Sequence, residues 1–145
     1  MSEERLDTEA AIERLNQALR LQYRSALQYT LASGSIFGLE QLALGDRLWE
    51  FAAAELADTR ALVEKIAALG GEPSTEVATH RFVGEAEEAV EWIIESEEES
   101  IDALQAAIEP TGREGRSEAL EHLLEHIILR KQNQVDFLSR ARRRD

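Results

Sequence analysis

A chain of 145 residues is enough for one domain, residues 1–145, built around one buried core. Its formal net charge of -13 argues against sequence-independent binding of nucleic acid, because the phosphate backbone rewards clustered Lys and Arg. Cysteine is absent, which excludes disulfides and thiolate metal sites, so any metal must use oxygen or imidazole ligands.

Ala, Leu and Ile lead the apolar residues and there are only 2 prolines, a balance that predicts helix throughout and no sheet. No apolar run is long enough to cross a bilayer, and the opening MSEERLDTEA is acidic where a secretory signal would be basic and then apolar. The expectation is a cytoplasmic protein without membrane contact.

A first helix is predicted to begin after Asp7 or Thr8, either of which can cap it, and to run to about residue 34. Ile12, Leu15, Leu19, Ala26 and Tyr29 form its apolar seam at helical spacing. After a turn over residues 34–38, a second helix spans residues 39–69 with Leu44, Leu48, Phe51, Leu62, Ile66 and Leu69 on its seam, and Gly70-Gly71 ends it. Residues 70–84 lack a helical period and mix Pro73 and Thr75 with Val77, Thr79 and Phe82, which predicts an extended crossover.

The third helix is expected over residues 85–109, burying Ala86, Val90, Ile93, Ile94, Ile101, Leu104 and Ile108, with Pro110 as its stop. A fourth begins within residues 111–117, where Thr111 and Glu114 suit a capping box, carries Leu120, Leu124, Ile127 and Leu138, and ends near Arg143. The basic cluster Arg140, Arg142, Arg143 and Arg144 places cations at that helix's C-terminus, where the dipole favours them. Short, long, short connections define an all-α four-helix bundle with one long crossover between its second and third helices, the ferritin-like pattern.

Each seam is interrupted near the middle of its helix. Gln22 interrupts the first, Glu55 and Asp58 the second, Glu97 the third, and Lys131 and Gln134 the fourth. The order, one polar residue followed by an i, i+3 pair, occurs twice, and Gln22 to Glu55 is nearly the same length of chain as Glu97 to Lys131. A buried carboxylate costs several kcal/mol unless paired, hydrogen-bonded or metal-bound, so three acids at one level require a compensating partner.

With these positions in view the chain resembles the bacterioferritin and ferritin-like superfamily over nearly its whole length. Leu15-Asn16, Ala26 and Gln28-Tyr29 look like the family's first helix, and Glu55 to Asp58 falls where its second helix carries Glu-x-x-His. Gly70-Gly71-Glu72-Pro73 resembles its crossover entry, and the run from Leu123 ending Val135-Asp136-Phe137-Leu138 is similar to its fourth helix. The resemblance implies a di-iron site made from one Glu on each of two helices and a Glu-x-x-His on each of the others.

Carried over position by position, Gln22 replaces the first Glu, Glu55 and Asp58 stand for the first pair, Glu97 keeps the second Glu, and Lys131 and Gln134 replace the last pair. Lys131 can neutralise two carboxylates and repels Fe²⁺, so one expectation is a hydrogen-bonded interior network of Gln22, Glu55, Asp58, Glu97, Lys131 and Gln134, with ferroxidase activity lost and no cofactor held. The competing expectation is an iron or manganese storage or oxidative-stress protein with an unorthodox metal site on Glu55, Asp58 and Glu97. A working di-iron oxidase, with Lys131 turned outward along its stem, is the third.

The remaining candidates have plainer readings. His122 and His126, four apart on the fourth helix, read as a core–solvent boundary, and His80 lies alone in the crossover. Of the acidic run Glu95, Glu97, Glu98 and Glu99, helical geometry sends only Glu97 inward. Tyr23, Trp49, Ala52, Ala53 and Leu56 lie off the inner seams and predict a second apolar face, read as a homodimer interface.

The resemblance implies haem held by a Met on the second helix, but the position next to Glu55 is Leu56 and Met1 is the chain's 1 methionine, so haem is not expected. The chain stops soon after the fourth helix without the short fifth helix of large ferritin cages, so a cage is not expected. The first two helices carry no His, and the intersubunit iron site of miniferritins has no ligands.

Overall fold

The structure, a computed structural model, describes residues 6–36, 38–108 and 115–142. Four helices carry it: α1 (Thr8–Ser35), α2 (Leu42–Ala68), α3 (Ala86–Ile108) and α4 (Gly115–Arg142). Asp7 caps α1, its side chain accepting from the Ala10 N–H at 3.2 Å. A single 3-10 turn, Leu39–Gln41, precedes α2, so the start expected at Leu39 is a tighter turn that passes into α-helix at Leu42. Glu85 caps α3 from outside, its carboxylate accepting from Glu87 and Glu88 N–H at 2.9 and 3.1 Å. The stop at Glu109 and Pro110, the Thr111–Glu114 box and the last arginines, Arg143 and Arg144, lie outside the described residues.

Gly70 ends α2 at φ 90°, a conformation only glycine adopts freely, and the two glycine N–H groups fold back onto Ala67 O and Ile66 O at 3.0 and 2.9 Å. Gly71 has a different reason: a Cβ there would meet Ile12 at 2.7 Å, so the crossover can start flush against α1 only without a side chain. The crossover then runs extended along α1 and is tied to it. Asn16 donates to Glu72 O at 3.0 Å and accepts from Ser74 N–H at 2.7 Å; Tyr23 donates to Ser74 O at 2.8 Å; Ala78 N–H reaches Arg20 O at 3.1 Å. These bonds satisfy crossover backbone groups that neither sheet nor helix serves.

Helix α1 packs against α2 and α3, and α3 against α4, while the α2–α4 side is the most loosely joined. The interior divides into two apolar layers. One centres on Leu15, Leu19, Leu62, Ile66, Leu104, Leu120, Leu124 and Ile127. The other centres on Tyr29, Leu48, Phe51, Val90, Ile93, Ile94, Val135 and Leu138, with Phe51 edge-on to both Tyr29 and Phe137 at 5.6 and 5.5 Å. Between them lies a polar layer formed where the seams are interrupted. No described helix is long and apolar enough to cross a membrane.

Candidate functional site: a buried ammonium between two carboxylates

Every helix sends polar side chains into the middle layer. Gln22, Ser25 and Tyr29 come from α1, Glu55 and Asp58 from α2, Glu97 from α3, and Lys131 and Gln134 from α4, and all are buried. Lys131 is fully enclosed, and its ammonium donates to Glu55 Oε1, to Glu97 Oε1 at 3.2 Å and to Ser25 Oγ at 3.3 Å. Ser25 in turn donates to Glu97 Oε1 at 2.5 Å. Tyr29 donates to Glu97 Oε2 at 3.2 Å, and the Gln134 amide reaches Tyr29 Oη at 3.2 Å and Glu55 Oε2 at 3.4 Å. The cation and both acids thus share one closed web.

Its charge balance is uneven: two carboxylates face one ammonium in a space without water-like screening. Burial pushes Glu55 up, Glu97's charge adds to the push, and Lys131 opposes it; the result stands at about 8 against an ordinary 4.5. Near neutrality Glu55 therefore mostly keeps its proton, which takes its own negative charge out of the web. Burial alone would lower Lys131, but the charges of Glu55 and Glu97 and their hydrogen bonds hold it above its usual value. Burial, with the neighbouring acids, pushes the Tyr29 phenol well above 10.0, so it remains a neutral donor.

Two of the expected members sit apart from the web. Asp58 does not touch Lys131; its Oδ1 accepts from Arg130 at 2.5 Å, because one helical turn beyond Glu55 carries it to the α2–α4 seam. Gln22 uses its amide on the backbone carbonyl of Glu55 at 2.9 Å rather than on a carboxylate. Its Oε1, like Asp58 Oδ2, is buried without a protein partner.

Two further members were not anticipated. Ser25 occupies the inward position expected of Ala26, which lines an outer groove instead. Tyr29, expected as an apolar seam residue, contributes its hydroxyl to the web. The available signal was the run Gln22, Ser25, Tyr29, whose 3/4 spacing continues the polar interruption.

The other candidates are at the surface. Glu95, Glu98 and Glu99 are exposed while Glu97 is buried, as helical spacing requires. His80 is exposed, with Nδ1 3.2 Å from Ala78 O. His122 is exposed with Nδ1 3.7 Å from Glu125, and exposed His126 accepts from Arg130 at 2.9 Å. Arg142 meets Glu91 at 3.5 Å, a surface pair at the helix end. Tyr23, Ala26, Trp49, Ala53 and Leu56 line an apolar groove of about 640 Å³ between α1 and α2, although Ala52 also belongs to the core.

Four helices, a crossover strapped to the first of them, and an interior polar layer to which each helix contributes define a ferritin-like bundle. The chain belongs to the ferritin-like domain family, whose match covers residues 12–144. Among solved structures it is similar to a ferritin-like diiron-carboxylate protein from Bacillus anthracis str. Ames, with TM-score 0.87, 26% identity and coverage of 94% of this chain and 98% of that one. Two others share the fold: a Rhodobacter capsulatus bacterioferritin described with a metal-free dinuclear site and haem iron (TM-score 0.76, 21% identity, 89% and 81% covered), and BfrA from M. tuberculosis (TM-score 0.80, 21% identity, 89% and 80% covered). No curated protein sequence matches significantly.

Proposed function

We infer that this chain is a bacterioferritin-type protein without ferroxidase activity, in which an internal ammonium takes over the charge that metal supplies in diiron-carboxylate relatives. The observation that carries the reading is Lys131, fully enclosed and bonded at once to Glu55 and Glu97. A di-iron centre does not fit these residues. Two acids converge on Lys131, Asp58 is engaged by Arg130, and the imidazoles lie outside the polar layer. Among the described residues no three His, Cys, Asp or Glu side chains group so as to hold a metal. The ammonium at the centre would repel a divalent ion and is a satisfactory partner for the acids already there.

The role left to such a protein is structural or binding, in the cytoplasm, as a homodimer. The dimer reading is supported by the α1–α2 groove, where Trp49 and Leu56 are 58% and 64% exposed and the lining residues carry no charge.

A second reading, iron or manganese binding on Glu55, Asp58 and Glu97, is favoured by two buried oxygens without a protein partner, Asp58 Oδ2 and Gln22 Oε1. It requires both Lys131 and Arg130 to leave their present partners. Elemental analysis of protein grown with excess iron, followed by aerobic Fe²⁺ oxidation, separates the readings. Sub-stoichiometric metal and oxidation no faster than buffer are expected; stoichiometric metal with rapid turnover would defeat the first reading. In the complementary variant K131E/Q134H, metal affinity absent from the parent should appear.

A further inference from the structure

Two arginines directly precede residues of the interior web, Arg24 before Ser25 on α1 and Arg130 before Lys131 on α4. One residue turns a helical side chain by about 100°, so each arginine reaches the seam beside the web rather than its centre.

The two seams are closed differently. Arg24 closes the α1–α3 side with a side chain 5% exposed, donating to the backbone carbonyls of Ser96 at 3.2 Å and Thr79 at 3.5 Å and to Glu99 at 2.8 Å. Its acceptors include main chain from both α3 and the crossover, which cannot move without moving those segments. Arg130 closes the looser α2–α4 side with a side chain 33% exposed. Its two partners there are side chains: Asp58 Oδ1 at 2.5 Å and His126 Nε2 at 2.9 Å. Arg130 donates to that nitrogen, so His126 presents a lone pair to it and carries its own proton, when neutral, on Nδ1. Asp58 is 7% exposed and its Oδ2 faces no protein donor, so Arg130 is the group that compensates this carboxylate.

We propose that Arg130 is a removable seal on the α2–α4 seam, seated on Asp58 and His126, and that its release admits small solutes to the web of Lys131, Glu55 and Glu97. Release needs only rotation of a partly exposed side chain about its own stem. It would also uncover the Asp58 carboxyl at the mouth of the opening. Desolvation already holds Asp58 above the usual carboxylate range, with Arg130 as the largest opposing influence. The proposal rests on the buried web described above but concerns access to it, whichever function the web serves.

The chain's lysines, Lys65 and Lys131, make a clean assay. The full-length protein is treated at one fixed pH with a small amine-acylating ester, and each lysine is followed by peptide mass spectrometry, with partly exposed Lys65 as the internal standard. In the parent, Lys65 is labelled and Lys131 spared. The variant D58N/R130M removes the seal without stranding a charge, and Lys131 labelling should rise on the order of 10-fold through local opening while the slowest amide exchange stays unchanged. H126L keeps the Asp58–Arg130 pair but removes one anchor, and a rise of roughly 3-fold is expected. Unchanged Lys131 labelling in both variants, or labelling that rises only in step with global unfolding, overturns the seal. Labelling of Lys131 as fast as Lys65 in the parent overturns the buried web itself, a distinct failure.

Discussion

The polar layer and the apolar layer beside it are equally buried, yet their residues stabilise the bundle in different ways. Around Leu62 and Leu124 each side chain contributes through contact and area, so losing one leaves a void whose cost depends on local collapse. In the web each residue contributes through the others. Glu55, Glu97 and Lys131 are tolerable only as a set, because removing any one leaves buried ionisable groups without the partners that compensate them. The lesson is that the polar layer is not a stronger core but a more conditional one.

The sharpest way to break this comparison is to remove the cation. K131M should destabilise by about 3–5 kcal/mol, since it strands two acids, whereas K131M/E55L/E97L together should recover most or all of that loss. L62A in the apolar layer should cost about 2–5 kcal/mol with no such rescue by neighbouring substitutions. Urea denaturation of the four proteins reads all three numbers; K131M/E55L/E97L no more stable than K131M would show that the charges were not interdependent.

A smaller effect follows from the proton on Glu55. Its carboxyl stands at about 8 in the folded chain against 4.5 ordinarily, so the folded state binds a proton that the unfolded state has released between those values. This contribution is fully present below about pH 4.5 and is lost as pH climbs through about 8. Stability should therefore fall by an amount of order a few kcal/mol across that window. The raised Lys131 acts in the same sense at higher pH, its contribution disappearing only above its ordinary 10.5. E55Q, which keeps the shape and cannot ionise, should flatten the slope between pH 5 and 8 on thermal melting at a series of pH values; an unchanged slope would place the proton elsewhere.

The smallest effect on folding lies at the surface. L56E on the exposed α1–α2 face should alter monomer stability by less than about 0.5 kcal/mol, yet halve the mass seen by light scattering if that face joins two copies. A monomeric parent would remove the dimer.

Much of this molecule was legible in its residues because period and punctuation carry it. The 3/4 spacing of Leu15, Leu19, Leu62, Ile66, Val90, Ile93, Leu120 and Leu124 marked four helices and their inner faces, Asp7 and Gly70 marked two ends, and Pro73 to Phe82 marked the crossover. The depth of Glu55, Glu97, Lys131 and Gln134 was equally readable as breaks in those seams. Pairing was not. Whether Asp58 meets Lys131 or Arg130, whether Gln22 bonds a carboxylate or a backbone carbonyl, and whether Ser25 or Ala26 faces inward each depends on the rotation of one helix against another by less than one residue step. Sequence spacing resolves rotation only to about that step of 100°. Helical period by itself therefore determined which level of the bundle is polar, while the tertiary structure alone decided which charge answers which, because hydrogen bonds are made or lost over a few tenths of an ångström.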